Sequence, residues 1–286
     1  MKRSMGGWVN GLIGVAIFAG SLPATRVAVA DLNPTFLTCA RAAVAAFVGW
    51  AFLLGQREQR PALADLPSLA ITAAGVVAGF PLLTALALQH VTSAHCIVFV
   101  GLLPLCTAAF AVIRGGERPR PLFWVFSAVG ALVVAGYAAM GDGQASLTGD
   151  LLMLAAVVAC GMGYAEGARL SRKLGGWQVI SWALILSLPV MLPLALLTTP
   201  QTLANVGLHA WLSFAYLALF SQLIGFVFWY RGLAQGGIAA VGQLQLLQPF
   251  MGLGLAALLL NESVNGSMLV VTSLAVVCVS GAKKYA

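Results

Sequence analysis

Long apolar runs, separated by short polar segments, occupy almost the whole chain. A helix needs roughly 20 apolar residues to cross about 30 Å of hydrocarbon, and in lipid its backbone groups must pair within the helix. Apolar runs of this length therefore predict membrane-spanning helices. The ten runs are approximately Trp8–Ala28, Pro34–Leu54, Leu69–Leu88, Ser93–Ile113, Pro121–Met140, Gly149–Leu170, Trp177–Leu197, Trp211–Tyr230, Gly237–Leu260 and Ser267–Ser280.

The composition excludes an ordinary soluble domain. Of the 286 residues, 60% are hydrophobic and only 8% are charged, and the mean hydropathy is +0.96. Soluble domains carry roughly 25% charged residues, so this chain has too little polar surface to remain in solution. The expected fold class is an all-α membrane protein with ten transmembrane helices.

Almost all the basic residues lie in polar segments that are predicted to be on the same side of the membrane. If the N-terminus is cytoplasmic, every Lys and Arg except Arg26 and Arg41 lies on the cytoplasmic side. Cytoplasmic loops of membrane proteins carry such an excess of basic residues, so we expect both termini in the cytoplasm. The net charge of +7 does not indicate a nucleic-acid partner, because the basic residues are spread over many loops.

The two halves of the chain correspond when one is shifted by 145 residues, as from Pro104 to Pro249. The basic segment Arg114–Arg120 then matches Leu259–Asn265, which has no Lys or Arg. Five spans per repeat is an odd number, so equivalent loops face opposite sides of the membrane. The pattern predicts a 5+5 inverted repeat around a central cavity, with units at residues 1–140 and 149–286.

These features together resemble the drug/metabolite transporter superfamily, and within it the EamA-type transporters. The resemblance covers essentially the whole chain and is greatest to the YddG group of amino-acid exporters. It implies a basket of ten helices in a bacterial inner membrane, with a cavity that opens alternately to each side. The second hairpin departs from the pattern, since it has Asn-Glu-Ser where the first has Gly-Glu-Arg. The residues that carry the resemblance are Thr25-Arg26, Arg41, the hairpin Gly116-Glu117-Arg118-Pro119 before a Gly-rich fifth span, and Glu262.

Polar side chains near the bilayer midplane are the first candidates for a substrate site. An inverted repeat has its site at that depth, and polar groups that face lipid are costly. Gln245 and Gln248 stand three residues apart and share a helix face, while Gln222 lies near the middle of the eighth span. Their amides suit a zwitterion or a polar solute, although glutamines also hold membrane helices together. We expect the fourth and ninth spans to face each other across the cavity.

Aromatic residues within the spans are the second group of candidates. They could line a cavity for an apolar or aromatic solute, or simply pack helices together. His95 precedes Phe99 by one turn and could bind substrate, carry a coupling proton or make a structural hydrogen bond. The aromatic candidates are Phe80, Phe99, Tyr164 and Trp229.

Charged residues within the spans suggest a gate or an ion pair. Glu166 is the only acid well inside a span and could pair with Arg169 or with Arg231. It lies close to the cytoplasmic boundary, which favours a gate or structural ion pair over proton coupling. Arg41 lies deeper, and no acid in the apolar runs shares its depth. Backbone carbonyls, water or an anionic substrate group must therefore accept its hydrogen bonds.

The sequence favours transport over catalysis. It contains no Gly-x-Ser-x-Gly elbow, His-Glu-x-x-His motif or Walker motif. The favoured function is export of small organic metabolites by alternating access, with amino acids, aromatic and apolar ones included, as the favoured substrates. We expect a monomer or homodimer in the lipid bilayer, without a cofactor. The alternatives are a channel for small solutes, which would favour rings of polar residues, and an intramembrane lipid-modifying enzyme, which would need a catalytic cluster.

Overall fold

The computed structural model describes residues 5–115, 120–140, 146–203, 205–236 and 241–285, and regular structure in these ranges is entirely helical. Several helices are composite, because their winding changes along the helix. The helices are α1 (Met5–Ala19 and Ser21–Asp31), α2 (Pro34–Gly55), α3 (Leu63–Ala87), α4 (Ser93–Val100 and Leu103–Gly115), α5 (Pro121–Met140), α6 (Leu147–Leu174), α7 (Gly176–Leu197), α8 (Leu208–Ala215, Tyr216–Ile224 and Gly225–Gly236), α9 (Gly242–Leu247 and Gln248–Leu260) and α10 (Gly266–Lys284).

Six of the described helices are long and apolar enough to cross a bilayer, namely α1, α2, α3, α6, α7 and α8. The other four carry apolar stretches of 10–17 residues. Large apolar side chains point outward along the bundle, and Leu132, Val190 and Leu258 are 70%, 57% and 80% exposed. Such a surface suits lipid better than water, and the prediction of an all-helical, strongly apolar fold is confirmed for the described residues.

Each predicted apolar run overlaps a described helix, although several helices are longer than their runs. The α6 helix continues through Arg172 and Lys173 to Leu174, and α8 continues to Gly236. Backbone hydrogen bonding persists into the polar interface, where charged side chains are solvated, so an apolar run marks only the part of the helix in lipid. Residues 116–119 with Glu117, and residues 237–240 at the start of the predicted ninth span, lie outside the described residues.

The helix ends define two ends of the bundle. At the basic end, Lys173 Nζ donates to both Asp65 carboxylate oxygens at 2.8 and 2.7 Å. Gln178 Nε2 donates to Glu58 Oε1 at 3.1 Å, which joins the end of α2 to the start of α7. At the opposite, distal end, Asp31 Oδ2 accepts from the backbone N–H of Gly207 at 2.8 Å. Described basic residues at the basic end include Arg57, Arg60, Arg120, Arg169, Arg172, Arg231 and Lys284.

Three pairs of helices at equivalent places in the two halves pack against each other, and each pair is antiparallel. They are α2 with α7, α4 with α9, and α5 with α10. The start of α5 meets the end of α10, where the backbone N–H of Arg120 donates to the Tyr285 carbonyl at 2.9 Å. Likewise, the start of α4 meets the end of α9, where the Ser93 backbone N–H donates to Glu262.

The interruptions within helices also recur at equivalent places. The α3 helix is π-wound over Ala73–Gly79 and α8 over Tyr216–Ile224, and both segments end 145 residues apart. The α4 helix restarts at Leu103 after a break, and α9 changes from 3₁₀ to α winding at Gln248, again 145 residues later. π segments are rare and frequently occur at functional sites.

Candidate functional site

A narrow cavity lies where α1, α2, α3, α4, α6, α8 and α9 converge. Its volume is about 30 Å³. The walls combine aromatic rings, hydroxyl groups, amides and a guanidinium group. The lining residues are Phe18, Ser21, Leu22, Thr25, Arg41, Val76, Phe80, Thr84, Leu103, Cys160, Tyr164, Ser221, Gln222, Phe226 and Gln248.

The cavity brings together five of the sequence-predicted site residues: Arg41, Phe80, Tyr164, Gln222 and Gln248. Sequence reasoning did not select the serine and threonine hydroxyls of the wall or two of its aromatic rings. Small hydroxyl residues are common in membrane helices and often bond their own backbone, so they give little sequence signal. The lining residues not selected as site candidates include Phe18, Ser21, Thr84, Ser221 and Phe226.

Arg41 and Gln222 form the polar centre of the cavity wall. Arg41 is 5% exposed and donates from Nε at 3.1 Å and from Nη2 at 2.6 Å to Gln222 Oε1. The partner that the structure describes for Arg41 is thus a side-chain amide 181 residues away, which the sequence interpretation did not include. The amide oxygen accepts hydrogen bonds but carries no charge that would neutralise the guanidinium.

Both π segments contribute to this polar centre. Gln222 lies in the π segment of α8, and its Nε2 donates at 3.2 Å to the carbonyl of Val76 in the π segment of α3. A π turn shifts the backbone hydrogen bonds from i−4 to i−5, which opens local carbonyls to partners outside the helix. Pro81 follows the α3 segment and lacks an N–H, which explains the disturbed winding there. Nothing in the sequence of Tyr216–Ile224 explains the corresponding segment of α8.

Gln248 lies where α9 changes its winding, and the following Pro249 occupies the first turn of the α segment. Its buried Oε1 has no hydrogen-bond partner among the described residues. Gln245 is also buried, and its side chain lies beside Tyr164 rather than in the cavity wall. Gln248 therefore lines the cavity and Gln245 does not, although the two residues stand only three positions apart.

An aromatic cluster closes the cavity toward the basic end. The rings of Phe18 and Phe226 stand 4.9 Å apart, and the Tyr164 and Trp229 rings stand 6.1 Å apart. Trp229 is 1% exposed and lies behind the wall, toward the basic end, rather than in it. Of these predicted aromatic residues, Phe80 and Tyr164 lie in the cavity wall, whereas Trp229 packs behind it.

His95 and Phe99 lie together outside the cavity, near the distal end. The His95 Nε2 and Asp150 Oδ1 atoms are 2.6 Å apart, which links α4 to the first turn of α6. The rings of His95 and Phe99 are 5.7 Å apart, and Tyr137 of α5 lies 5.1 Å from His95. This arrangement is that of a buried, hydrogen-bonded histidine at a helix interface.

Glu166 pairs with Arg169 at the basic end. Glu166 is 1% exposed and accepts from Arg169 Nη2 at 2.8 Å, and the same nitrogen donates to Ser68 Oγ at 2.5 Å. The pair therefore ties α6 to the first turns of α3. Arg231, the other partner considered for Glu166, is exposed at the basic end of α8.

Neutralising Glu166 tests whether this tie acts as a gate. We expect Glu166→Gln to fold normally but to change the rate of the transport expected from the sequence by about twofold to tenfold, because the charge-assisted hydrogen bond within α6 that holds Arg169 against Ser68 of α3 is weakened. Uptake of labelled amino acids into proteoliposomes, followed across a range of pH, measures the effect. Glu58→Gln, which changes another carboxylate at the same end, is the control. Parental transport by Glu166→Gln at every pH would exclude a gating role.

Both halves of the chain match one family model, that of the EamA-like transporter family, over residues 5–138 and 147–281. The chain is 62% identical to the uncharacterized transporter YdeK of Bacillus subtilis (strain 168) over 286 residues, the full length of both. It is 29% identical over 270 residues, 92% of this chain and 88% of the relative, to the "Probable terminal-alkyne amino-acid exporter" of Streptantibioticus cattleyicolor. A protein crystal structure with 19% identity superposes with a TM-score of 0.69 over the whole of both chains, which shows likeness of fold alone.

Proposed function

Because this chain belongs to the EamA-like transporter family, we propose that it exports small organic metabolites, amino acids among them, across a bacterial inner membrane by alternating access. Membership makes the chain a multi-pass membrane transporter. The observation that carries the finer proposal is the central cavity, to which helices of both halves contribute polar and aromatic side chains. The relative named as an amino-acid exporter supports the substrate class.

A ten-helix 5+5 inverted repeat is the architecture we propose for this transport. A two-fold axis in the membrane plane makes equivalent helices antiparallel where they meet. The antiparallel packing of α2 with α7, α4 with α9, and α5 with α10 supports such an axis. The other main contacts fit it too, since α1 packs on α8 as α6 packs on α3.

Alternating access requires that each end of the cavity close in turn. Toward the basic end, the aromatic cluster and the Glu166–Arg169 pair lie between the cavity and the bulk. Toward the distal end, Glu262 binds the start of α4. We propose that these two groups of contacts form and break alternately, with the basic end in the cytoplasm, as the excess of basic residues there favours.

Counterflow in proteoliposomes tests the proposed function. Vesicles loaded with one unlabelled amino acid should transiently accumulate the same labelled amino acid from outside, because a carrier exchanges substrate through one alternating site. A panel of the twenty radiolabelled amino acids covers the proposed class. Flux that rises linearly with concentration, without transient accumulation, would indicate a channel, and chemical change of the label would indicate an enzyme. Absence of counterflow for the whole panel would refute amino-acid transport.

A further inference from the structure

The cavity contains a buried positive charge that no carboxylate of its described wall neutralises. Among the described lining residues, Arg41 alone carries a formal charge at neutral pH. Its described hydrogen bonds both end on one neutral atom, Gln222 Oε1. A guanidinium has five N–H donors, and the structure describes no protein partner for the Nη1 nitrogen.

An unpaired charge in the membrane interior is costly and marks a place where a partner binds. The group that suits a guanidinium best is a carboxylate, whose two oxygens match two parallel N–H groups. Gln222 holds the Arg41 guanidinium in position for such a partner. Because its Nε2 is held by the Val76 carbonyl, its Oε1 stays directed at Arg41 and orients the guanidinium in advance.

We infer that Arg41 is the carboxylate-binding residue of this transporter, and that the cavity selects carboxylate-bearing substrates over amines that lack a carboxylate. The inference rests on the proposed function, because it assigns a substrate class to the same cavity. A cationic solute would meet the Arg41 charge with no described acid in the wall to offset it. Repulsion of this kind discriminates as effectively as attraction does.

Other atoms of the wall suit the remaining groups of an α-amino acid. The buried Oε1 of Gln248 lacks a described partner and can accept a hydrogen bond from an ammonium group. The hydroxyls of Ser21 and Ser221 lie 2.7 Å apart in the same wall and can each donate or accept. The rings of Phe80 and Tyr164 offer apolar contact to a side chain. A zwitterion with an apolar side chain therefore finds complementary groups in one cavity.

Matched probes test the inference without requiring transport. Leucine and phenylalanine are compared with their amines, isopentylamine and 2-phenylethylamine, and with their des-amino acids, 4-methylpentanoate and 3-phenylpropanoate. Binding to purified protein is measured by equilibrium dialysis or by the shift in thermal unfolding. We expect binding of the carboxylates and at least tenfold weaker binding of the amines, because an amine cannot engage the guanidinium.

Variants of Arg41 locate the effect. Arg41→Gln should weaken carboxylate binding by about tenfold to 100-fold, and Arg41→Lys should weaken it less, since it keeps the charge but loses the planar fork. Gln248→Ala should weaken the amino acids by about twofold to tenfold and leave the des-amino acids unchanged. The comparison of probes on the parent protein stands even if a variant fails to fold.

The outcomes separate this inference from the proposed function. The carboxylate site would be overturned if the amines bound as tightly as the carboxylates or more tightly, or if no carboxylate bound up to its solubility. It would also be overturned if chloride displaced a bound carboxylate as effectively as a second carboxylate does. Arg41-dependent carboxylate binding without counterflow would leave the site standing and reject the carrier. Counterflow that is insensitive to Arg41→Gln would keep the carrier and reject the site.

Discussion

Replacing Gly75 with alanine is expected to force α3 away from α6 and to lower the stability of the folded protein. A Cβ atom at this position would lie 2.8 Å from Gly163 Cα and 2.9 Å from Gly163 N. Both atoms belong to the backbone of α6, so no rotation of a side chain can relieve the clash. Overpacking of this kind costs about 1–3 kcal/mol in a packed core, and the rigid neighbours favour the upper part of that range.

The close contact between α1 and α8 is expected to respond to an added Cβ atom in the same way. A Cβ atom at Gly232 of α8 would lie 2.7 Å from Gly11 N and 2.9 Å from Gly11 Cα of α1. Small residues allow membrane helices to approach closely, and van der Waals packing there drives their association. Gly232→Ala should therefore destabilise the α1–α8 contact about as much as Gly75→Ala destabilises α3–α6.

Thermal unfolding in detergent measures both variants. The five free cysteines, of which all except Cys106 are buried, react with a thiol probe as the fold opens. Gly254→Ala is the matched control, because Gly254 is exposed within α9 and a Cβ there would meet no atom within 4 Å. The control should unfold at or above the parental temperature, since alanine favours helix over glycine by about 1 kcal/mol. Parental unfolding of Gly75→Ala, or an equal loss in the control, would contradict the close-packing argument.

Replacing Glu262 with alanine is expected to open the distal end of the bundle. Glu262 accepts from Ser93 Oγ at 2.7 Å, from the Ala94 backbone N–H at 2.8 Å and from the Ser93 backbone N–H at 3.1 Å. A carboxylate at a helix N-terminus satisfies unpaired N–H groups and interacts favourably with the helix dipole. Losing it leaves the buried donors at the start of α4 unsatisfied, at a cost of about 1–3 kcal/mol to the closed arrangement.

Chemical labelling inside the cavity measures this opening. A single cysteine at position 25, introduced as Thr25→Cys in a cysteine-free background, lies in the cavity wall toward the distal end. Reaction with a water-soluble maleimide should be about fivefold to 100-fold faster in Glu262→Ala than in the parent, and intermediate in Glu262→Gln. Asp31→Asn, at the same end but bonded only to Gly207 in the described contacts, should leave the rate unchanged. A labelling rate for Glu262→Ala within twofold of the parent would rule out a role for Glu262 in holding the distal end closed.

The sequence indicates the depth of a residue in the membrane more clearly than it indicates whether its side chain points into the bundle. Apolar runs and basic loops give the helices and the two ends, because crossing lipid imposes a length and a charge distribution. Which face of a helix turns inward is weakly encoded, because lipid is as apolar as the protein interior and the usual periodicity of burial is lost. Gln222 and Trp229 of α8 illustrate this, since both were candidates by depth, yet only Gln222 lines the cavity.

Local winding adds a second reason why the site could be predicted only in part. Pro104 and Pro249 mark the interruptions in α4 and α9, because proline lacks the backbone donor that a regular helix needs. The π segment of α8 has no such marker and nevertheless carries Gln222 to the wall. The spacing of Gln245 and Gln248 predicted a shared face, but it could not indicate that only Gln248 would line the cavity.

The sequence by itself determined that this chain is an apolar, helical membrane protein of the EamA type, with two related halves and a basic end. These properties depend on composition, on the length of apolar runs and on loop charge, all of which act locally. Only the tertiary structure decided the partners of the polar residues: Arg41 with Gln222, His95 with Asp150, and Glu262 with the start of α4. Such pairs join residues 55 to 181 positions apart, so they arise from helix packing that no local pattern specifies.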